Sequence, residues 1–311
     1  MLELIDIRKR YGKSKSDVLE SVNLCIRDGT ILGLAGLNGA GKTTTIKIAS
    51  GVLTPNRGKV LIDGVDLFTD RMTAIRNVGW IPENENFDTS YRALDLMCYY
   101  CGIYGLSRNQ ALTKSSELLR LVGLERSMNQ RLSKFSFGMK KRFMVAASMI
   151  ADPGNILLDE PFNGLDPEGF RFLNRMILNA KKQGKGLLVS SHILTELSEI
   201  ADSIAIMHRG RIIRILEKKE LLREGSKVIR LRLDKQNNRV VDLLSEFGEV
   251  SIQKDMIVIF NPEVDNSGID RVSQKLRENG YEVAECRISF ERLEDQFFRI
   301  IEEYDKGNIN F

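Results

Sequence analysis

The residues GLNGAGKTT (36–44) have the types and spacing suited to holding phosphate. They fit the pattern G-x-x-x-x-G-K-[ST] and lie between an apolar run and a helix-like segment, the context such a loop requires. Gly36, Gly39 and Gly41 let backbone N–H groups close around phosphate oxygens without a Cβ in the way. Asn38 and Thr44 belong to the same loop, Lys42 reaches the β- and γ-phosphates of a nucleotide, and Thr43 offers its hydroxyl to Mg²⁺. The helix that follows adds its positive end to the attraction. A second group is NILLDEP (155–161), an apolar run ending in two acids. Asp159 is suited to bind Mg²⁺, directly or through water, and Glu160 to polarise an attacking water. Alone, such a run is often a strand leading into a solvated loop; on the same sheet as a phosphate loop it reads as chemistry. His192, one of two histidines, follows GLLVSS (186–191). At the end of a neighbouring strand, a neutral imidazole can hydrogen-bond the γ-phosphate or the attacking water.

The elements that must position these residues follow from the same text. Short apolar runs alternate with helical segments in the first half, the pattern of an α/β domain with a largely parallel sheet. Strands are predicted at Thr30–Gly36, Asn155–Asp159 and Gly186–Ser191, and helices at Gly41–Gly51 and from about Glu168 to Gln183. Strand, helix and strand at that spacing make a parallel crossover, so these strands end on one edge of the sheet, where ligands bind in open α/β folds. Between Asn84 and Ala151 the rhythm becomes helical: Leu94, Met97, Cys98 and Cys101 share one helical face, and Leu118, Leu119 and Val122 another. EKKELLREGSK (217–227) reads as a charged connector. After it, KVIRLRLD (227–234) alternates as a strand, and Val240, Leu243, Leu244 and Phe247 space as a helix. Val250–Phe260 reads as two strands turning near Lys254–Asp255. Ile269, Val272 and Leu276 mark a second helix, and Tyr281–Ile288 a last strand. The order β-α-β-β-α-β predicts a small ferredoxin-like α+β unit, closed by a helix carrying Phe290, Leu293, Phe297 and Ile301.

Composition narrows the function classes. The chain has 311 residues, 42% hydrophobic and 28% charged, as in an ordinary globular protein of about two domains. A formal charge of +4 is too small for a dedicated nucleic-acid binder, so no nucleic-acid partner is expected. Four cysteines are too few for a disulfide scaffold and suit a reducing cytosol. Cys98 and Cys101 form C-x-x-C on a predicted helix, but zinc needs about four ligands, and small buried residues are the better reading. MLELIDIRKRYGK lacks the layout of a signal peptide. The apolar stretch IADSIAIMHRGRIIRIL is interrupted by Asp202, His208, Arg209, Arg211 and Arg214, well short of a membrane span of about 18 apolar residues. A soluble chain whose membrane role comes through a partner is expected.

The motifs together resemble the ATP-binding cassette family, the ATPase subunits of ABC transporters, over about residues 1–215. FSFGM (135–139) stands where the family has its LSGGQ signature, followed by the usual basic run, and NGLDP (163–167) matches its D-loop. The resemblance implies a P-loop cassette fold, with a mostly parallel sheet and a helical subdomain at about 84–151. It implies Mg-ATP as the bound nucleotide and a second cassette packed head to tail. Ser136, with the helix starting near Gly138, would then reach the γ-phosphate of ATP held by the partner, and Asp166 would cross the dimer interface. Tyr11 matches the aromatic that stacks on adenine.

Two positions depart from the family. Glu83, in VGWIPEN (78–84), stands for the usual Q-loop glutamine; it keeps an acceptor for Mg²⁺ and loses an NH₂ donor. Phe137 stands for a signature glycine, adding bulk where backbone approaches phosphate. From the sequence, Phe137→Gly is therefore expected to raise ATPase activity or tighten ATP-driven dimerisation. In the family, the region holding the aromatics Trp80, Phe87, Tyr99, Tyr100 and Tyr104 receives the membrane permease subunit, which favours a partner groove there over the alternative of plain core packing. SFERLEDQFFRI (289–300) resembles the ending of exporter ATPases. The expectation is an exporter ATPase at the cytoplasmic face of the membrane, with residues 216–311 as an accessory or regulatory domain. The alternatives are an importer ATPase with a substrate-sensing C-terminal domain, and a soluble cassette ATPase acting on ribosomes or DNA. The last is disfavoured by the single phosphate loop and by the absence of stacking aromatics in KVIRLRLD.

Overall fold

The computed structural model describes residues 1–12, 16–85, 87–221, 227–233, 238–253, 256–260 and 266–307. Parts of the expected connector (222–226), the expected turn at Lys254–Asp255 and the end of the first C-terminal strand at Asp234 lie outside the described residues. The chain divides into two compact units, Met1–Lys218 and Lys219–Phe311.

In chain order the first unit runs β1 (Leu2–Lys9), β2 (Leu19–Ile26), β3 (Ile31–Ala35), α1 (Lys42–Ala49), β4 (Arg57–Ile62), β5 (Val65–Asp66), α2 (Arg71–Ala74) and β6 (Val78–Ile81). It continues with α3 (Ala93–Ile103), α4 (Arg108–Leu121), α5 (Phe137–Ser148), β7 (Asn155–Leu158), α6 (Pro167–Lys182), β8 (Gly186–Ser191), α7 (Leu194–Ile200), β9 (Ser203–His208) and β10 (Arg211–Glu217). Helix α8 (Lys218–Leu221) follows. One sheet has the order β10-β9-β3-β8-β7-β6 and is parallel apart from β10, which pairs antiparallel with β9. The expected strands are β3, β7 and β8, adjacent as their crossovers require. The sequence reading did not name the antiparallel sheet, order β2-β1-β4-β5, which closes the other side of the core. All five residues of β3 are buried, as befits a parallel strand covered on both faces.

Helices α3, α4 and α5 lie between β6 and β7, where a helical insertion is expected. The buried face of α3 is Ala93, Leu96, Met97 and Cys101, while Leu94 and Cys98 are only half-buried. The expected face is thus rotated by about one residue. Leu118, Leu119 and Val122 are buried as expected.

Register decides where the chemistry lies. Ala35 pairs with Ser191 and Leu158 with Val189. The residues that follow each strand, Gly36, Asp159 and His192, therefore emerge on the same edge of the sheet.

The second unit contains β11 (Lys227–Leu233), α9 (Asn238–Leu244), β12 (Glu249–Gln253), β13 (Met256–Phe260), α10 (Asn266–Glu278), β14 (Val283–Phe290) and α11 (Leu293–Asp305). Its sheet has the order β12-β13-β11-β14, with every neighbouring pair antiparallel. Ile229, Leu231 and Leu233 pack with Val240, Leu244, Val272 and Leu276, so α9 and α10 cover one face. The simple alternation expected of β11 fails at Arg230, which is buried. Val228 and Arg230 share the opposite face, and α11 packs there: Arg230 Nη1 donates to Asp295 Oδ1 at 2.9 Å and Ser251 Oγ of β12 to Glu302 Oε1 at 2.6 Å, while Arg230 Nε donates within the sheet to Ser289 Oγ of β14 at 2.7 Å.

Removing one partner of a buried pair leaves the other charge desolvated and alone, at a cost of about 3–5 kcal/mol. Asp295→Ala should accordingly lower the denaturant midpoint of the C-terminal unit, followed by circular dichroism. The paired change Arg230→Met with Asp295→Leu should restore most of the loss.

Candidate functional site

The loop from Gly36 to Gly41 joins β3 to α1. Gly41 has φ 112°, which L side chains rarely adopt, and a Cβ there would lie 2.7 Å from Leu19 Cδ2. Among the described residues, no side chain caps α1 and no acid occupies its first turn, so the positive end of the helix faces the loop without internal compensation. Lys42, the first residue of α1, donates from Nζ to Gly36 O at 2.7 Å and lies 3.1 Å from Glu160 Oε1. Both side chains are almost wholly buried, at 6% and 7% exposed.

The two acids after β7 are held differently. Asp159 Oδ1 accepts from Ser190 Oγ at 2.8 Å and from Thr43 Oγ1 at 3.2 Å. Burial raises its pKa above the usual carboxylate value, against the lowering effect of the two hydroxyls; the nearby carboxylates of Glu160 and Glu83 raise it further. Glu160 has φ 43°, a strained setting for a residue with a Cβ. Its N–H is held by Ser190 Oγ at 2.9 Å, and its Oε2 receives His192 N–H at 3.3 Å. Glu160 Oε2 also lies 2.9 Å from His192 Nδ1, so one carboxylate spans Lys42 and His192.

Glu83 enters from the segment after β6. Its Oε1 accepts from Asn163 Nδ2 at 3.2 Å, and its carbonyl accepts from Lys141 Nζ at 2.9 Å; Pro82 O accepts from the same ammonium at 3.2 Å. Lys141 is 2% exposed, and desolvation lowers its pKa to about 8 against the raising effect of Glu83, Asp159 and Glu160.

Asn38, Gly39, Gly41, Lys42, Thr43, Thr44, Glu83, Glu160 and His192 line one cleft of about 280 Å³, together with Val18, Leu37, Ala40 and Asn163. Gly36 lies beneath it, bound to Lys42, and Asp159 lies behind Thr43. Tyr11 OH is 3.3 Å from Thr44 Oγ1, with a half-exposed ring. Ser136, Gly138 and Asp166 do not line the cleft. Ser136 caps α5 by accepting Met139 N–H at 3.3 Å, and Asp166 caps α6 by accepting Gly169 N–H at 2.8 Å. The ring of Phe137, 44% exposed, lies against Gly164, where a Cβ would come 3.0 Å from Phe137 Cε1. Sequence reasoning gave no role to Asn163, Ser190 or Lys141. Asn163 stood inside the quoted NGLDP; Ser190 and Lys141 carry no local signal, since their partners are remote in sequence.

A second cavity, about 390 Å³, is lined by Trp80, Phe87, Tyr100, Tyr104 and Phe143 among others, and excludes the exposed Tyr99. Trp80 Nε1 is buried there with no hydrogen-bond partner among the described residues. Cys101 is buried with Sγ 3.5 Å from Ser115 Oγ, and Cys98 is half-buried.

The family described as ABC transporter matches residues 19–163. The bacitracin transport ATP-binding protein BcrA of Bacillus licheniformis is 31% identical over 304 residues, 97% of each chain. The lantibiotic transport ATP-binding protein SrtF of Streptococcus pyogenes is 36% identical over 218 residues, 70% of this chain and 90% of the relative. A solved structure of the ATP-binding subunit of an ABC transporter superposes with a TM-score of 0.64 at 33% identity, covering 72% of this chain and 92% of that one. Similarity that runs end to end with one relative, and a phosphate loop, acidic strand end and histidine gathered in one cleft, lead to one conclusion: the chain belongs to the ABC transporter family, as one of its ATP-binding ATPase proteins.

Proposed function

We propose that the cleft binds ATP and hydrolyses it with Glu160 as general base, and that closure of two such cassettes drives a separate membrane permease, in the direction of export. The observation that carries this reading is the Glu160 carboxylate held between Lys42 Nζ and His192 Nδ1 inside the glycine-loop cleft. In this arrangement Lys42 is neutralised by Glu160. Incoming phosphates offer Lys42 stronger anionic partners, so the ammonium turns to them and Glu160 is released toward the γ-phosphate. The backbone N–H groups of the loop and the open end of α1 hold the other oxygens. Tyr11, beside Thr44, stacks on adenine. Glu160 takes a proton from water as the water oxygen bonds to the γ-phosphorus and the bond to the β-phosphate oxygen breaks. His192, anchored through its N–H and Nδ1 to Glu160, orients that water or the γ-phosphate.

Thr43, Asp159 and Glu83 present oxygen donors of the kind that suits Mg²⁺. They would hold the ion, which when bound neutralises charge on the β- and γ-phosphates.

Ser136, Gly138 and Asp166 sit away from the cleft of their own chain, which supports a head-to-tail pair in which they meet the partner's nucleotide. The aromatic cavity lined by Trp80, Phe87, Tyr100 and Tyr104 supports docking of the permease. Among the described residues no helix is long and apolar enough to cross a membrane, so attachment to the cytoplasmic face through that permease fits. The SFERLEDQFFRI ending and similarity to bacitracin and lantibiotic transport proteins favour export. The C-terminal unit, ferredoxin-like in strand order, is an accessory or regulatory domain.

Three outcomes check this reading. Glu160→Gln should keep ATP binding and lose turnover about 10²–10⁴-fold, accumulating ATP-dependent dimers in size-exclusion chromatography; turnover at the wild-type rate would remove Glu160 as base. Lys42→Ala should weaken ATP binding by roughly tenfold to a hundredfold in calorimetry, the value of a charge-assisted contact. A chain ending at Lys218 should retain Mg-ATP binding, since the nucleotide cleft lies wholly within the first unit.

A further inference from the structure

Helix α5 carries two side chains, four residues apart on one helical face, that touch the two segments supplying Asn163 and Glu83 to the cleft. Phe137, at its first turn, packs its ring against Gly164. Lys141, one turn on, donates to the carbonyls of Pro82 and Glu83. The neighbouring Lys140 pairs with Glu85. The circuit closes inside the cleft, where Asn163, adjacent to Gly164, donates to Glu83 Oε1 at 3.2 Å. Gly164 has φ 72°, and a Cβ there would meet Phe137 Cε1 at 3.0 Å, so the ring lies in close contact with the loop that carries Asn163.

We propose that Phe137 and Lys141 are positioning residues. Through Gly164 and the Glu83 carbonyl they make α5 a rigid tie that holds Asn163 and Glu83 in register, and thereby joins the end of α5 offered to a second cassette to the chain's own nucleotide cleft. The inference rests on the proposed ATPase function and adds a mechanical link between the two sites of a dimer. It reverses the sequence-based expectation for Phe137: the ring has a contact in its own chain, so its loss frees the loop instead of relieving an obstruction.

The test is steady-state ATP hydrolysis by the full-length protein, as a double-mutant cycle of Phe137→Ala and Asn163→Ala, with Phe137→Leu as the variant that preserves bulk. Because Phe137 acts through Asn163, Phe137→Ala should lower kcat about fivefold with KM for ATP within about twofold. Phe137→Leu should keep most of the activity, and the double variant should be no slower than Asn163→Ala alone. Losses that multiply, or a kcat that Phe137→Ala leaves unchanged or raises, overturn the tie. Should Phe137→Ala fold poorly by thermal melting, Lys141→Met loosens Glu83 from the other side and should also lower kcat with little change in KM; an unchanged kcat there has the same force against the proposal. A wild-type protein that binds no ATP overturns the function beneath the inference, whereas multiplying losses in an active enzyme overturn the inference alone.

Discussion

The ammonium of Lys42 is a charge taken out of water, and the site is organised around satisfying it. A buried cation of this kind is tolerated only with close acceptors and an opposite charge. Gly36 O supplies the first and Glu160 the second. These partners come from the end of β3 and the end of β7, with β8 between them. The ion pair therefore exists only if three parallel strands keep their register. A slip of one residue in β7 would turn Glu160 away from Lys42 and place Asp159 out of reach of Thr43 and Ser190.

The same constraint explains the tension in the cleft. Three carboxylates, Asp159, Glu160 and Glu83, share a partly desolvated space, and burial together with like charge raises the Asp159 pKa. Glu160 also holds a left-handed backbone, with its N–H secured by Ser190. An arrangement of this kind costs folding energy and is stable only because surrounding structure over-determines it. The cations that face the acids, Lys42 and Lys141, are themselves buried. A ligand bringing both anionic oxygens and a divalent cation would match this array at each point.

The C-terminal unit shows the same physics. Arg230 is buried on a sheet face that a strand pattern would assign to solvent, and it is accommodated because α11 delivers Asp295 to it. Burial of Val228, Phe297, Ile300 and Ile301 goes with that pairing. The helix that closes the unit is thus fastened by polar contacts to the sheet as well as by apolar area.

Much of this protein was legible in the order of its residues. Local chemistry is written locally: the glycines and Lys42 of the phosphate loop, the acids after an apolar run, and the β-α-β-β-α-β rhythm all rest on neighbours within a few residues, so spacing alone identifies them. Asp166 and Ser136 stand out by motif, and the folded chain gives each a further role as the N-cap of α6 or α5. What the sequence left open depends on contacts between distant segments. Ser190 between Asp159 and Glu160, Asn163 on Glu83, Lys141 on the carbonyls of Pro82 and Glu83, the ring of Phe137 on Gly164, and Arg230 against Asp295 each join positions that no periodicity links. Their partners are chosen by strand register and helix packing, and only the folded chain brings them within hydrogen-bonding or van der Waals reach.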